Sequence, residues 1–301
     1  MYRNQGTKTE HGTDMQLTER DWKILLALEK WGVLGLGQAL GLAFDKEAGD
    51  EERVRFFFNE TTRRDYGLWY CKRLRRMVQA GYIRAHFMVN ERVIYTLTET
   101  GFEHMKSRGR NAMPGHRGEI APNLVNHEIN VAAVGLVLSE LFSLRVRTER
   151  ERIPWLGSGG RGPAPHRGIS DLWISGAAPR AIEVELSQKS RHDYQEIWNA
   201  YSLRRKGDFA VLYLTRWPHG VQTILSLARD FQADLIYACG LKDFRRSHGR
   251  RSFESYIEGR TLSLAHGAAT AAAGASFRNA DPGSSPVISP LPAGEKGECV
   301  I

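Results

Sequence analysis

Residues 65–107 change their period twice, and no other feature constrains the fold as much. In DYGLWYCKRLRRMVQAG the apolar residues Leu68, Cys71, Leu74, Met77 and Val78 recur at helical spacing. Gly81 stands where a helix commonly ends in a left-handed residue. Tyr82–Val89 and Arg92–Leu97 are β-rich segments around Asn90–Glu91, which predicts a hairpin. TETGFEHMKSRG then begins another helix.

Upstream, LTERDWKILLALEKWG is helical in pattern, with Thr18 as N-cap, Glu19 and Asp21 at the positive end, and Gly32 as the stop. LGLGQALGLAF reads as a second helix weakened by glycine. Residues 45–65 are charged and read as a loop or an extra helix. Three helices followed by a hairpin are the order of a winged helix–turn–helix, and LRRMVQAGYIRAHFMVNERVIYTLTETGFEHM resembles that family. The resemblance implies that the third helix enters the DNA major groove and that the hairpin is the wing. The family's Y-x-L-T-x-x-G segment is matched by Tyr95, Leu97, Thr98 and Gly101.

The charges agree with that reading. Lys plus Arg number 42 against 34 Asp plus Glu, a net +8, which suits a polyanionic partner. Lys72, Arg73, Arg75 and Arg76 fall on or beside the exposed side of the third helix, and Arg84 and Arg92 flank the wing. Such cations can hold phosphates on either side of one groove. The alternative is a solvated helix face, or a wing that contacts protein. Arginine runs speak for phosphate contact rather than base readout, so no operator sequence follows.

Three cysteines, Cys71, Cys239 and Cys299, are too few and too far apart for a zinc ribbon or a disulfide scaffold. No run approaches the roughly 18–20 uninterrupted apolar residues of a membrane span. The polar opening MYRNQGTKTEHGTDMQ lacks a signal-peptide core, so a cytoplasmic location without membrane attachment is expected. The expected organisation is a disordered N-terminus over 1–15, a winged helix over 16–106 and a Gly/Arg/Pro-rich linker over 107–122. A second domain follows over 123–261, then a disordered Ala/Gly/Ser/Pro tail over 262–301.

The second domain reads as a long helix from Asn123, a strand in LRVRTERERIPW, a glycine-rich loop, and two short strands, ISDLWIS and RAIEVELS. A helix over SRHDYQEIWNAYSLRRKG, a buried strand FAVLYLTRW, a helix VQTILSLARDF and a last strand at Leu235–Cys239 complete it. Alternation in AIEVELS puts Glu183, Glu185 and Ser187 on one face, with the carboxylates about 7 Å apart. A hairpin at SGAAPR sets Asp171 opposite Val184–Glu185. Carboxylates so placed either share a Mg²⁺ or Mn²⁺ ion or form the wet face of an amphipathic strand. His127 and His192 read as surface or packing residues, and Trp198, Tyr201 and Tyr213 as packing.

This αβββαβ order resembles the restriction-endonuclease-like core of PD-(D/E)XK nucleases over roughly residues 123–217. The fold class expected is therefore mixed α+β and α/β, a winged helix–turn–helix ahead of a nuclease-like domain. By resemblance, Asp171 and Glu183 take the two acidic places, and Glu185 stands where the family has Lys. Lys189 replaces that Lys if the strand-to-helix junction folds it back. The resemblance implies catalysis by Asp171, Glu183, Glu185 and Lys189, with Asp171, Glu183, Glu185 and Glu128 as metal ligands. Gln188, Arg191 and Tyr194 would line the opening as phosphate contacts. Both halves together, with E-x-E-L-S-x-K-S and a following helix that bears Tyr201, look like the replication-relaxation family of plasmids and mobile elements. That likeness implies a DNA partner, a metal-dependent endonuclease or nickase, and relaxosome or replication partners. The rival reading is a winged-helix regulator whose inactive nuclease-like domain serves dimerisation.

Overall fold

The computed structural model describes residues 15–43, 49–59, 68–88, 93–109, 122–149, 151, 170–176, 178–204 and 209–264. The expected disordered N-terminus, most of the linker, the loop before Ser170 and the tail beyond Leu264 lie outside these residues. The fold is mixed α/β, with a three-stranded antiparallel sheet and a seven-stranded mixed sheet.

Helix α1 (Glu19–Trp31) starts where its caps require. The Thr18 N–H donates to the Asp21 carboxylate at 2.7 Å, and Asp21 N–H donates back to Thr18 Oγ1 at 3.4 Å. At the other end Gly32 N–H reaches Leu28 O at 2.8 Å. Strand β1 (Leu34–Gly35) and helices α2 (Leu36–Ala43), α3 (Asp50–Phe57) and α4 (Leu68–Gln79) follow. The charged stretch thus contains an extra helix, α3. The start of LGLGQALGLAF is not helical, because Leu34 and Gly35 pair with Tyr95 and Ile94. Two residues are too short a strand for sequence periodicity to register.

After α4 the chain turns through Gly81 at φ 78°, with Tyr82 N–H on Met77 O and Gly81 N–H on Val78 O, both at 3.0 Å. Strands β2 (Ile83–Phe87) and β3 (Val93–Leu97) form the hairpin, and α5 (Glu99–Ser107) begins at the Thr98 cap. The Leu97-Thr98-x-x-Gly101 segment has a steric and polar purpose here. Thr98 Oγ1 donates to the carbonyls of Gly81 and Tyr82, and a Cβ on Gly101 would stand 2.2 Å from the Tyr82 oxygen.

Helix α6 (Pro122–Leu136) continues into a π-helical turn, Val137–Leu141. By length and composition Leu124–Leu141 could cross a membrane, at mean hydropathy 1.2, and half of it is buried inside the fold. Next come β4 (Val146–Thr148), β5 (Leu172–Ile174), β6 (Arg180–Glu185), α7 (Arg191–Arg204), β7 (Ala210–Thr215), α8 (Gly220–Asp230) and β8 (Ile236–Gly240). A short helix α9 (Leu241–Arg246) and strands β9 (Phe253–Glu254) and β10 (Thr261–Leu262) end the described fold, past the final strand read from sequence. In the larger sheet β4–β5–β6 pair antiparallel, β6–β7–β8 parallel, and β8–β9–β10 antiparallel. All six residues of β7 are buried, as expected of a strand covered on both faces.

One face of this sheet, with Ala181, Val211, Tyr213 and Ile236, lies under α7 and α8. The other face carries Leu172, Ile182, Val184, Leu212 and Leu214 and joins a single apolar cluster with Leu25, Leu28, Trp31, Leu40 and Phe57 of the N-terminal helices. Helix α6 is the go-between. A Cβ on Gly135 would stand 2.3 Å from the Trp31 ring, so glycine is what lets α1 and α6 approach. Gln38, fully buried, ties the same junction: its amide donates to Phe57 O at 3.0 Å and Ile129 O at 2.8 Å, and accepts from Gly35 N–H at 2.8 Å.

Replacing Gln38 by alanine leaves three backbone groups without these partners in a dry site. A loss of about 3 kcal/mol in unfolding free energy is expected, read from urea denaturation. A loss below about 0.5 kcal/mol would mean that water takes over these bonds.

Candidate functional site

Strand β6 puts Ile182 and Val184 into the larger core and turns Glu183 to the opposite face, against α7. Neither glutamate is wet: Glu183 is 8% and Glu185 5% exposed. That excludes the amphipathic-strand reading. The β5–β6 register pairs Leu172 with Ile182, and one residue further it sets Asp171 opposite Glu183 rather than Val184–Glu185. The turn closes one residue tighter than the sequence suggested.

Each acidic group is held by a named donor. Asp171 Oδ2 accepts from Val184 N–H at 2.7 Å and stands 3.3 Å from His127 Nε2. Glu183 Oε1 accepts from the Tyr201 hydroxyl. Glu185 Oε1 pairs with Lys189 Nζ, so the strand-to-helix junction does fold the lysine back to the strand end. The junction is fixed by a cap: Ser190 Oγ donates to Asp193 Oδ2 at 2.7 Å, and Asp193 N–H donates to Ser190 Oγ at 3.1 Å. Lys189 N–H donates to the Tyr194 hydroxyl at 3.3 Å.

The electrostatics follow from burial. Desolvation, and then the nearby Asp171 charge, push Glu183 up to about 8 against the pull of the Tyr201 hydrogen bond and Lys189. Burial lowers His127, but its hydrogen bond to Asp171 and the charges of Asp171 and Glu128 outweigh that and leave it raised. Burial also lifts the hydroxyls of Tyr201 and Tyr213, with the Glu183 charge adding to it.

The other expectations divide: Tyr194 departs from its reading, while His192 lies at the surface as expected. Tyr194 is fully buried and lines no opening. Arg191 pairs with Asp230 at 2.7 Å and lies over the Phe231 ring at 4.7 Å, while Gln188 is exposed. His192 is exposed, 3.5 Å from Glu196. Among the described residues no three His, Cys, Asp or Glu side chains gather as a ligand group, so Asp171, Glu183, Glu185 and Glu128 do not form one four-carboxylate cage. The reason for Glu185 is its pairing with Lys189. Asp171 and Glu183 remain facing, each with one oxygen fixed by a protein donor. Two carboxylates with water and a phosphate are a common Mg²⁺ environment, and a cation would offset both the burial and the Asp171 repulsion that lift Glu183.

Sequence reasoning missed His127 and the role of Tyr201. The spacing of Tyr194, Trp198 and Tyr201 at i, i+4 and i+7 is the signal that could have found Tyr201: a stripe that faces the sheet, where Glu183 lies. No local signal placed His127 beside Asp171.

On α4, Lys72, Arg75 and Arg76 are exposed, as is Arg84 on β2, while Arg92 lies outside the described residues. Arg73 is a correction. Its guanidinium turns inward, with Nε 3.0 Å from Asp21 Oδ1 and Nη2 donating to Gln16 O at 2.8 Å. Burial would raise Asp21, yet Arg73 and Thr18 hold it below its ordinary value. Arg73 thus anchors α4 to α1 instead of facing a phosphate. No family model, curated protein or solved structure matches this chain.

Between the ordinary carboxyl value of 4.5 and about 8 the unfolded chain releases the Glu183 proton while the folded chain keeps it. The contribution is whole below that window and falls as pH rises through it. Glu183→Gln should therefore flatten the decline in stability across this range, measured as urea midpoints. Parallel curves for the two proteins would show that Glu183 ionises normally.

Proposed function

We propose that this chain is a DNA-binding protein, a winged helix–turn–helix over residues 16–106 joined to a nuclease-like domain over residues 123–261. It acts in the cytoplasm as a metal-dependent endonuclease or nickase in the relaxation, replication or mobilisation of a plasmid or integrated mobile element. The observation that carries this reading is the convergence at one strand end of Asp171 opposite Glu183, with Lys189 folded back beside them.

Asp171 and Glu183 would hold a divalent cation. A bound Mg²⁺ or Mn²⁺ supplies a Lewis acid that lowers the pKa of a water and offsets charge at the phosphate. Val184 N–H and His127 keep one Asp171 oxygen fixed, and Tyr201 does so for Glu183. Lys189 puts a positive charge where a scissile phosphate would lie, and Glu185 orients that lysine. Lys72, Arg75, Arg76 and Arg84 hold the DNA backbone from α4 and β2.

The regulator reading, with an inactive nuclease-like domain that serves dimerisation, is favoured by one observation. Tyr201 and Lys189 already occupy one oxygen each of Glu183 and Glu185, oxygens a metal ion would otherwise take.

A supercoiled plasmid carrying the chain's own genetic neighbourhood separates the two. Mg²⁺- or Mn²⁺-dependent nicking that EDTA stops and Glu183→Ala abolishes, with DNA affinity kept within about twofold, is the expected outcome. Nicking that survives both Glu183→Ala and Asp171→Ala would remove the site from the mechanism. In the same preparation, Arg75→Gln with Arg76→Gln should weaken DNA binding and reduce the logarithmic salt slope by about 1.8.

A further inference from the structure

The ends of the parallel strands carry a charged surface apart from α4. Strands β6, β7 and β8 run in register through Glu185, Thr215 and Gly240, so the residues that follow leave the sheet along one edge. Arg216 is the first residue after β7, and its N–H donates to Glu185 O at 3.0 Å, which places it beside the carboxylate strand. Helix α9 leaves β8 at the same edge. Leu241 and Phe244 are its buried side, and Lys242 and Arg246 are exposed. Strand β9 returns antiparallel to β8 and brings the segment with Arg250 and Arg251 to that edge.

These cations differ in how they are used. Arg250 reaches Asp50 of α3 at 2.9 Å, and Arg251 lies 3.5 Å from Glu254. Arg216, Lys242 and Arg246 make no ion pair among the described residues. Asp243, exposed in the first turn of α9, stands against Gly240 at the same edge and makes no ion pair with Lys242 or Arg246. Three like charges without an ion pair repel each other, and only Arg246, in the last turn of α9, has a helix end to stabilise. They do attract a polyanion. From β6 to β8 the edge spans about 10 Å, the distance that about three nucleotides cover at 3.4 Å of rise each.

We propose that Arg216, Lys242 and Arg246 form a phosphate-binding track that leads a nucleic-acid strand along the C-terminal edge of the parallel strands to the Asp171–Glu183 site. The track rests on the DNA-binding reading above and adds a second contact surface to it. Its occupant is the sugar–phosphate backbone, because guanidinium and ammonium groups bind phosphate, and the one aromatic ring of α9, Phe244, is buried and offers a base no stacking surface. The edge is also where open α/β sheets commonly take their ligands.

The test measures fluorescence anisotropy of a labelled duplex and of its single strand with the full chain, in EDTA, over a range of NaCl concentrations. The variant Arg216→Gln/Lys242→Gln/Arg246→Gln is compared with Arg75→Gln/Arg76→Gln and with the unchanged protein. Expected for the triple variant is a loss of at least about tenfold in affinity and a salt slope shallower by about 2.7 on the duplex, at about 0.9 per lost contact, or by about 2.1 on the single strand, at about 0.7. A loss on the duplex or on the single strand supports the track and says which form it carries. Should the triple variant melt at a lower temperature than the unchanged protein, Lys242→Gln and Arg246→Gln are measured singly, each expected to lower the slope on the duplex by about 0.9. Unchanged affinity and slope beside a weakened Arg75/Arg76 variant overturns the track and leaves the DNA-binding reading intact. Failure of the unchanged protein to bind either nucleic acid overturns both.

Discussion

Helix α6 is the constraint on which the rest of the structure depends. It is apolar on more than one side, so a single partner layer would leave much of it in water. Val125 and Ile129 pack against Val33, Ile94 and Met88 near the hairpin, Gly135 admits Trp31, and Val134 and Val137 enter the cluster that contains Ile182 and Leu212. The N-terminal helices and the seven-stranded sheet therefore share one core. At the start of this helix, His127 reaches Asp171. The same element that joins the halves thus also places a side chain at the candidate site.

The fold buries several charges, and their partners show what each one does. Asp21 is matched by Arg73 and a helix cap, a closed arrangement in which both carboxylate oxygens have a donor. That pattern is structural. Glu183 is different, since it faces a second carboxylate and a single hydroxyl, and its environment favours the proton over the charge. A buried carboxylate without a full cationic partner costs stability, and such costs concentrate where a ligand or a reaction uses them. The contrast between these two buried acids argues that the strand end, and not the α1–α4 junction, is the functional place.

Much of the local structure was legible in the sequence. Thr18 and Gly32 bound α1, Gly81 ends α4, and the alternation in AIEVELS put Glu183 and Glu185 on one face. The facing of Asp171 and Glu183 was legible to within one residue of register. What periodicity could not supply was distance across the chain. Arg73 meets an acid 52 positions away, and nothing on α4 distinguishes it from Arg75 or Arg76. β1 was missed because two residues carry no period, and α9 to β10 because each element is shorter than a periodicity window. Burial of the glutamates was hidden for a related reason: alternation says that two residues share a face, not what covers it.

Placing Glu185 two positions after Glu183 has a further structural consequence. A lysine at that place would ride on the strand, about 7 Å along it, with its direction set by the pleat. Here the cation comes from Lys189, beyond the end of β6, and is drawn back by Glu185. Its position is then governed by the start of α7, through the Ser190–Asp193 cap and the Lys189 N–H bond to Tyr194. Tyr194 in turn packs on Trp198 and Tyr213 beneath the sheet. The glutamate thus transfers control of the site's positive charge from the sheet to a helix cap and an aromatic cluster. Any motion of the α7 N-terminus would carry Lys189 with it while Asp171 and Glu183 stay fixed on adjacent strands.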